Sequence, residues 1–118
     1  MTSSSSLKSK HCVPCEGGVP RVDAEQARKL AGQLDGWSVS DDGILIHREW
    51  KLKDFASAVE FLNAIGDLAE AEQHHPDLHL TGYRNIKIEL TTHAIGGLSE
   101  NDFILAAKID ELPIKLKK

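Results

Sequence analysis

A chain of 118 residues, 41% hydrophobic and 27% charged, has the composition of an ordinary globular domain and enough length to bury one core. Its net charge of −4 and pI near 5.8 argue against a broad electrostatic grip on nucleic acid or an anionic membrane; only "KLKK" at residues 115–118 is locally basic. No apolar run reaches the ~20 residues a bilayer requires, and the opening "MTSSSSLKSK" lacks the apolar stretch of a secretory signal. Two cysteines are too few for a disulfide framework, so a reducing, cytoplasmic setting is the expectation.

Residues 1–10 are Ser- and Lys-rich and carry too little apolar surface to offset the entropy of ordering them, which predicts a disordered tail. Residues 11–22, "HCVPCEGGVPRV", hold two glycines and two prolines and predict an irregular segment; one domain is then expected over 23–118. Asp23 at a cap position, Gln26 three residues on, and Ala27, Leu30, Ala31 and Leu34 at helical spacing predict a helix reaching towards Gly36. "GWSVSDDGILIHREW" predicts a hairpin: Trp37 and Val39 alternate before the Asp42-Gly43 turn pair, and Ile44, Ile46 and Trp50 follow with a period of two.

Asp54 caps the strongest helix signal, in which Phe55, Ala58, Val59, Leu62, Ile65, Gly66 and Ala69 recur at i, i+3, i+4 and i+7. Pro76 disfavours helical geometry at the residue before it and predicts a stop near Gln73 or His74. "DLHLTG" suggests a short strand, and "YRNIKIELTTH" alternates cleanly, with Ile86, Ile88 and Leu90 on one face. After Gly96-Gly97, Ser99 and Asp102 open a last helix over Phe103 to about Leu112. That helix is more apolar than one covered face requires, which an oligomer contact or deep burial would each explain. The order α-β-β-α-β-β-α predicts the α+β class, with helices laid on one face of an antiparallel sheet.

The chemistry concentrates in "EAEQHHPDLH", residues 70–79, which holds three of the six histidines. His75 and His79 are spaced like paired zinc ligands on a helix, but Pro76 ends the helix between them, and no "HExxH" pattern is present. His11, Cys12 and Cys15 offer three possible ligands without an evident fourth, so no metal is expected. Histidines at a helix end can simply be solvated caps that suit the negative end of the dipole. Here Glu70 stands one turn before His74, where it can orient an imidazole, and adjacent histidines in a helix-to-loop transition aim differently. Histidine titrates near ~6.5, so such a pair can supply an acid and a base at neutral pH. His47 reads as an exposed strand residue, and Trp37 and Trp50 read as core.

The run "HHPDLHLTGYRNIKIELTTHAIGGLSENDFILAAKID", with Glu70 ahead of it, resembles the pterin-4a-carbinolamine dehydratases, and the likeness reaches back through "KDFASAVEF" and Gly36-Trp37 to about Asp23. In that family a Glu-x₃-His-His-Pro segment, a Tyr, a strand ending in Thr-His and a Gly-Leu-Ser/Thr-Glu-x-Asp run recur in this order. The resemblance implies a four-stranded antiparallel sheet carrying helices on one face, and assembly as dimers or dimers of dimers. It implies dehydration of 4a-hydroxytetrahydropterin to quinonoid dihydropterin in tetrahydrobiopterin recycling, with no cofactor, and a pterin-dependent hydroxylase nearby. By the same resemblance His74 and His93 transfer protons, His75 positions the substrate, and Glu70 and Asp102 support the imidazoles. Gln73 stands where many members carry an acid, and Leu78 where some carry an aromatic. A rival class is the binding module, since relatives of this fold partner a transcription factor in animals or act in RuBisCO assembly; retention of all three histidines and both acids favours the enzyme.

Overall fold

The computed structural model describes residues 21–117. The expected N-terminal tail and the His11, Cys12 and Cys15 set lie outside the described residues. The packed unit reaches back to Val22, whose side chain is buried and whose backbone N–H donates to the Leu98 carbonyl at 2.8 Å.

Helix α1 (Ala24–Ala31) is capped by Asp23, whose Oδ1 accepts the Gln26 N–H at 2.8 Å. It stops earlier than its apolar spacing predicts. Gly32 is a poor helix former, and the chain tightens into i→i−3 turns that carry Leu34 into the core without continuing the helix. Strand β1 (Ser38–Val39) and strand β2 (Ile46–Lys51) form the expected hairpin, with Gly43 at φ +73° in its loop. Helix α2 (Phe55–Glu72) is capped by Asp54, which accepts the Ser57 N–H at 2.8 Å.

Strands β3 (Asp77–Thr81) and β4 (Asn85–Leu90) pair antiparallel, and β4 also pairs with β2, giving one antiparallel sheet in the order β1-β2-β4-β3. A 3₁₀ turn (His93–Ile95) leads to helix α3 (Glu100–Asp110). The architecture is α+β in the predicted order.

Ile46, Trp50, Ile86, Ile88 and Leu90 turn inward from β2 and β4 onto Ala58, Phe61 and Ile65 of α2 and onto α3. Trp37, Trp50 and Phe61 form a chain of edge-to-face rings, with centroids 5.9 and 5.2 Å apart. Phe103, Ile104, Leu105, Ala106 and Ala107 are all buried within the chain itself. Deep burial therefore accounts for the apolar excess of α3, and the oligomer contact offered for it is not needed. Emptying such a site, as in Phe103→Ala, costs roughly 3–5 kcal/mol in well-packed cores.

Asp110, at the end of α3, ties that helix to the hairpin. Its carboxylate accepts the Trp37 Nε1–H at 3.0 Å and the Arg48 Nη1–H at 2.7 Å, while Arg48 lies over the Trp50 ring. Gly36 leaves room for that arginine, since a Cβ there would stand 2.9 Å from Arg48 Nε and the backbone is at φ +83°.

Candidate active site

Helix α2 delivers the first part of the site through the way it ends. Gln73 takes the left-handed conformation (φ 53°, ψ 40°), its N–H turns back to the Glu70 carbonyl, and the His74 N–H reaches the Ala69 carbonyl at 3.2 Å. This is a Schellman closure, usually made with glycine. Gln73 offsets part of the left-handed cost by donating from its side chain to the Glu70 carbonyl at 2.7 Å. The reversal sends His74 inward and His75 outward, and Pro76 prevents the helix from resuming.

His74 is 5% exposed, and its Nε2 lies 2.6 Å from Asp102 Oδ1. Asp102 is fully buried at the third position of α3, where it closes a capping box by accepting the Ser99 N–H at 2.9 Å. Its Oδ2 also accepts the Thr92 hydroxyl at 2.8 Å, and Thr92 Oγ1 lies 2.7 Å from Ser99 Oγ. Three donors thus converge on one carboxylate. With Asp102 ionised, a carboxylate can only accept, so Nε2 of His74 carries the proton in that bond. The arrangement fixes the tautomer and stabilises an imidazolium when His74 takes up a second proton.

The outer half of the site is open to water. His75 Nε2 stands 3.3 Å from Glu70 Oε2, and both side chains are exposed. Glu70 was expected to orient an imidazole one turn on; the one it reaches belongs to His75, because the reversal at Gln73 turns His74 away to Asp102. His93 opens the 3₁₀ turn with an exposed side chain. Gln73, His74, His75, Thr91, Thr92, His93 and Ala94 line a single cleft of about 180 Å³. Thr91 fixes the cleft to the hairpin by donating to the Ile44 carbonyl at 2.6 Å. Larger cavities, of about 530 and 690 Å³, lie elsewhere, but neither gathers more than one histidine; the smaller cleft is the candidate on chemical grounds.

The five residues proposed from sequence therefore fall into two histidine–carboxylate pairs and His93; the three histidines line one cleft, and Asp102 and Glu70 each contact one of them. His79 does not join them: it stands on β3 and pairs with Glu89 Oε1 at 2.6 Å. Among the described residues no group of three or more His, Cys, Asp or Glu is placed to hold a metal. His47 is half-buried on β2 opposite Ser38 and Glu89. Ser99 and Asp102, read together as the opening of the last helix, do form its capping box, whereas Thr92 was missed as a partner of Asp102. A signal existed for Thr92, because it continues the inward series Ile86, Ile88 and Leu90 at the period of two, and an inward hydroxyl needs a buried partner.

Comparison with known proteins gives the family. The family model described as Pterin 4 alpha carbinolamine dehydratase matches residues 20–112. A mitochondrial pterin-4-alpha-carbinolamine dehydratase 2 of Arabidopsis thaliana is 49% identical over 92% of this chain, which spans 60% of that relative's length. A relative in Halorhodospira halophila, provisionally given the same enzyme name, is 48% identical over 91% of this chain and 97% of its own. The crystal structure of a transcriptional coactivator/pterin dehydratase from Brucella melitensis superposes with a TM-score of 0.71 and 31% identity, covering 77% of this chain and 96% of that one. A RuBisCO assembly factor of the alpha-carboxysome shares the fold at a TM-score of 0.54 and 22% identity, covering 64% and 87%. The fold is α+β, and its described residues bring three histidines and two carboxylates together. The chain belongs to the pterin carbinolamine dehydratase family.

Proposed function

We propose that the protein dehydrates 4a-hydroxytetrahydropterin to the quinonoid dihydropterin, serving the recycling of tetrahydrobiopterin. In this reaction the C4a–O bond breaks, the hydroxyl leaves as water after gaining a proton, N5–H gives up its proton, and a C4a=N5 double bond forms. The N5 lone pair supplies the electronic push, so the step asks only for two well-placed proton carriers and no cofactor or metal. The observation that carries the reading is the buried Asp102–His74 pair opening into a cleft shared with His75 and His93.

His74 suits the task of taking the N5 proton, because Asp102 stabilises the imidazolium that results. His93, exposed on its turn, then delivers a proton to the departing oxygen, and His75, steadied by Glu70, holds the substrate. The direct test is stopped-flow decay of 4a-carbinolamine with purified protein, before and after dialysis against EDTA. Catalysed decay that survives chelation is expected; decay at the uncatalysed rate, or activity that returns only with zinc, overturns the reading.

The same proposal includes a homodimer or homotetramer, in the cytoplasm, with a pterin-dependent hydroxylase as supplier of substrate. Phe55 and Val59, 54% and 37% exposed at i, i+4 on α2, support self-association. Light scattering at micromolar protein should give at least twice the chain mass of 13.0 kDa. Among the described residues no helix is long and apolar enough to cross a membrane.

A further inference from the structure

The end of the chain carries a feature that the dehydratase reading does not use. Leu116 forms an isolated antiparallel bridge with Leu52; the Lys53 N–H donates to the Lys115 carbonyl at 2.8 Å, and the Lys117 N–H donates to the Lys51 carbonyl at 2.9 Å. Residues 115–117 therefore continue the sheet edge that β1 begins, on the same side of β2. This register sets Lys51 directly opposite Lys117, and Lys53 directly opposite Lys115. All four share the sheet face opposite to Leu52, by the period of two.

Like charges directly opposed across a strand pair are destabilising. Two such pairs stand side by side here, in a chain whose net charge is −4. Among the described residues none of these four lysines is held in an ion pair; the lysine bridges are made by Lys29, Lys87 and Lys108. Arg84 adds a fixed positive wall, its guanidinium spent on the Leu52 and Lys53 carbonyls. Lys53, Arg84, Lys115, Leu116 and Lys117 line a groove of about 690 Å³. Two carboxylates stand nearby: Glu49, two residues before Lys51 on the same face of β2 and opposite Lys87, and Asp54, which is occupied in capping α2 and which the Ser57 hydrogen bonds, and after them the Lys53 and Lys115 charges, hold below the ordinary carboxylate range.

Lysines on an exposed edge often serve only to prevent edge-to-edge pairing. That explains Lys115 and Lys117 on the outer segment, but it leaves Lys51 and Lys53 on the inner strand without a reason. An anionic ligand explains both. Since Lys115 and Lys117 turn their carbonyl and amide towards β2, Leu116 turns its own outward, where an added strand can pair with them. Leu116 is 48% exposed beside this edge.

We propose that this edge is a docking surface for an extended acidic segment of a partner protein, paired to the outward groups of Leu116, with carboxylates on alternate residues set beside Lys115 and Lys117 and directed towards Lys51 and Lys53 behind them. Carboxylates at i and i+2 of a strand repeat at roughly 6.6 Å, the same repeat that separates Lys51 from Lys53 and Lys115 from Lys117. Main-chain pairing along the outer edge favours a peptide over a nucleic acid, which has no such groups to offer.

The test is fluorescence anisotropy on the full chain with a labelled heptapeptide that alternates glutamate and threonine. A second peptide of the same composition with its glutamates in one block serves as comparison, as does a single-stranded oligonucleotide of equal charge. The alternating peptide is expected to bind about tenfold more tightly than the block peptide and to weaken as salt is raised. The double variant Lys115→Glu/Lys117→Glu is expected to lose binding by tenfold or more, and Lys115→Gln/Lys117→Gln, the milder change, to lose part of it, with circular dichroism unchanged in both. Equal binding of the two peptides, unaltered binding by the folded variants, or tighter binding of the oligonucleotide would overturn the proposal.

Discussion

Asp102 and His74 are joined by a 2.6 Å contact that no solvent reaches from the Asp102 side, where the Thr92 hydroxyl and the Ser99 N–H occupy the other carboxylate oxygen. One side chain thus caps α3 and sets the protonation pattern of an imidazole on the loop after α2. Structure and chemistry share the same group.

Asp102→Asn separates these two duties. The amide oxygen can still accept from Thr92 and Ser99, so the cap survives and the loss of stability should be about 1–3 kcal/mol. Its NH₂ then faces His74 Nε2 and forces that nitrogen to become an acceptor, which inverts the tautomer and removes the stabilised imidazolium. Turnover is expected to fall by about 10²-fold while the fold persists. Asp102→Ala should cost more stability, roughly 3–5 kcal/mol, because a buried pair loses one partner. Urea denaturation and steady-state kinetics on both variants check this, and an Asp102→Asn protein with wild-type kcat would contradict it.

The pH dependence of stability should carry the mark of Asp110. Burial pushes its carboxyl above the ordinary carboxylate value, against the opposing pull of the Trp37 hydrogen bond and the Arg48 charge. The folded protein then binds a proton in a window where the unfolded chain does not, from the raised value down to about pH 4. Folding stability gains from this group as pH falls through that window, the reverse of an acid whose pKa is depressed. In Asp110→Asn the titration is gone. The unfolding free energy of the wild type, minus that of Asp110→Asn, should therefore rise between pH 7 and pH 4 in parallel urea titrations; a falling difference would mean that the Arg48 ion pair outweighs the desolvation.

Much of the frame was legible in the sequence because it rests on local rules. Asp23 and Asp54 are read as caps and act as caps, Pro76 ends α2 where its steric demand requires, and the alternation of Ile86, Ile88 and Leu90 gives the inward face of β4. What was not legible depends on contacts that no period encodes. The choice between His74 and His75 as the partner of Glu70 turns on the left-handed Gln73, whose type gives no warning of that conformation. The Thr92 contacts to Ser99 and Asp102 join a strand end to a helix start. The pairing of Leu116 with Leu52 brings residues 115–117 onto β2, and the alternation of Ile114 and Leu116 with Lys115 and Lys117 does not say which strand they will meet.

The three histidines should separate by kinetic signature. His93 is exposed on its turn and His75 is exposed beside Glu70, so alanine at either position removes no packing and the protein should keep its fold. His74 differs, because alanine there leaves the buried Asp102 carboxylate without its imidazole; His74→Gln, which can still donate to Asp102, is the informative change. His74→Gln and His93→Ala are each expected to lower kcat. General acid–base groups typically contribute roughly 10²–10⁴-fold, and the carbinolamine's own tendency to lose water places the effect near the lower end. His75→Ala should act mainly on KM, since a contact made equally in the ground and transition states raises KM without slowing the chemistry. If His74→Gln/His93→Ala turns over at near the wild-type rate, with circular dichroism and oligomer size unchanged, the protons are carried by other groups.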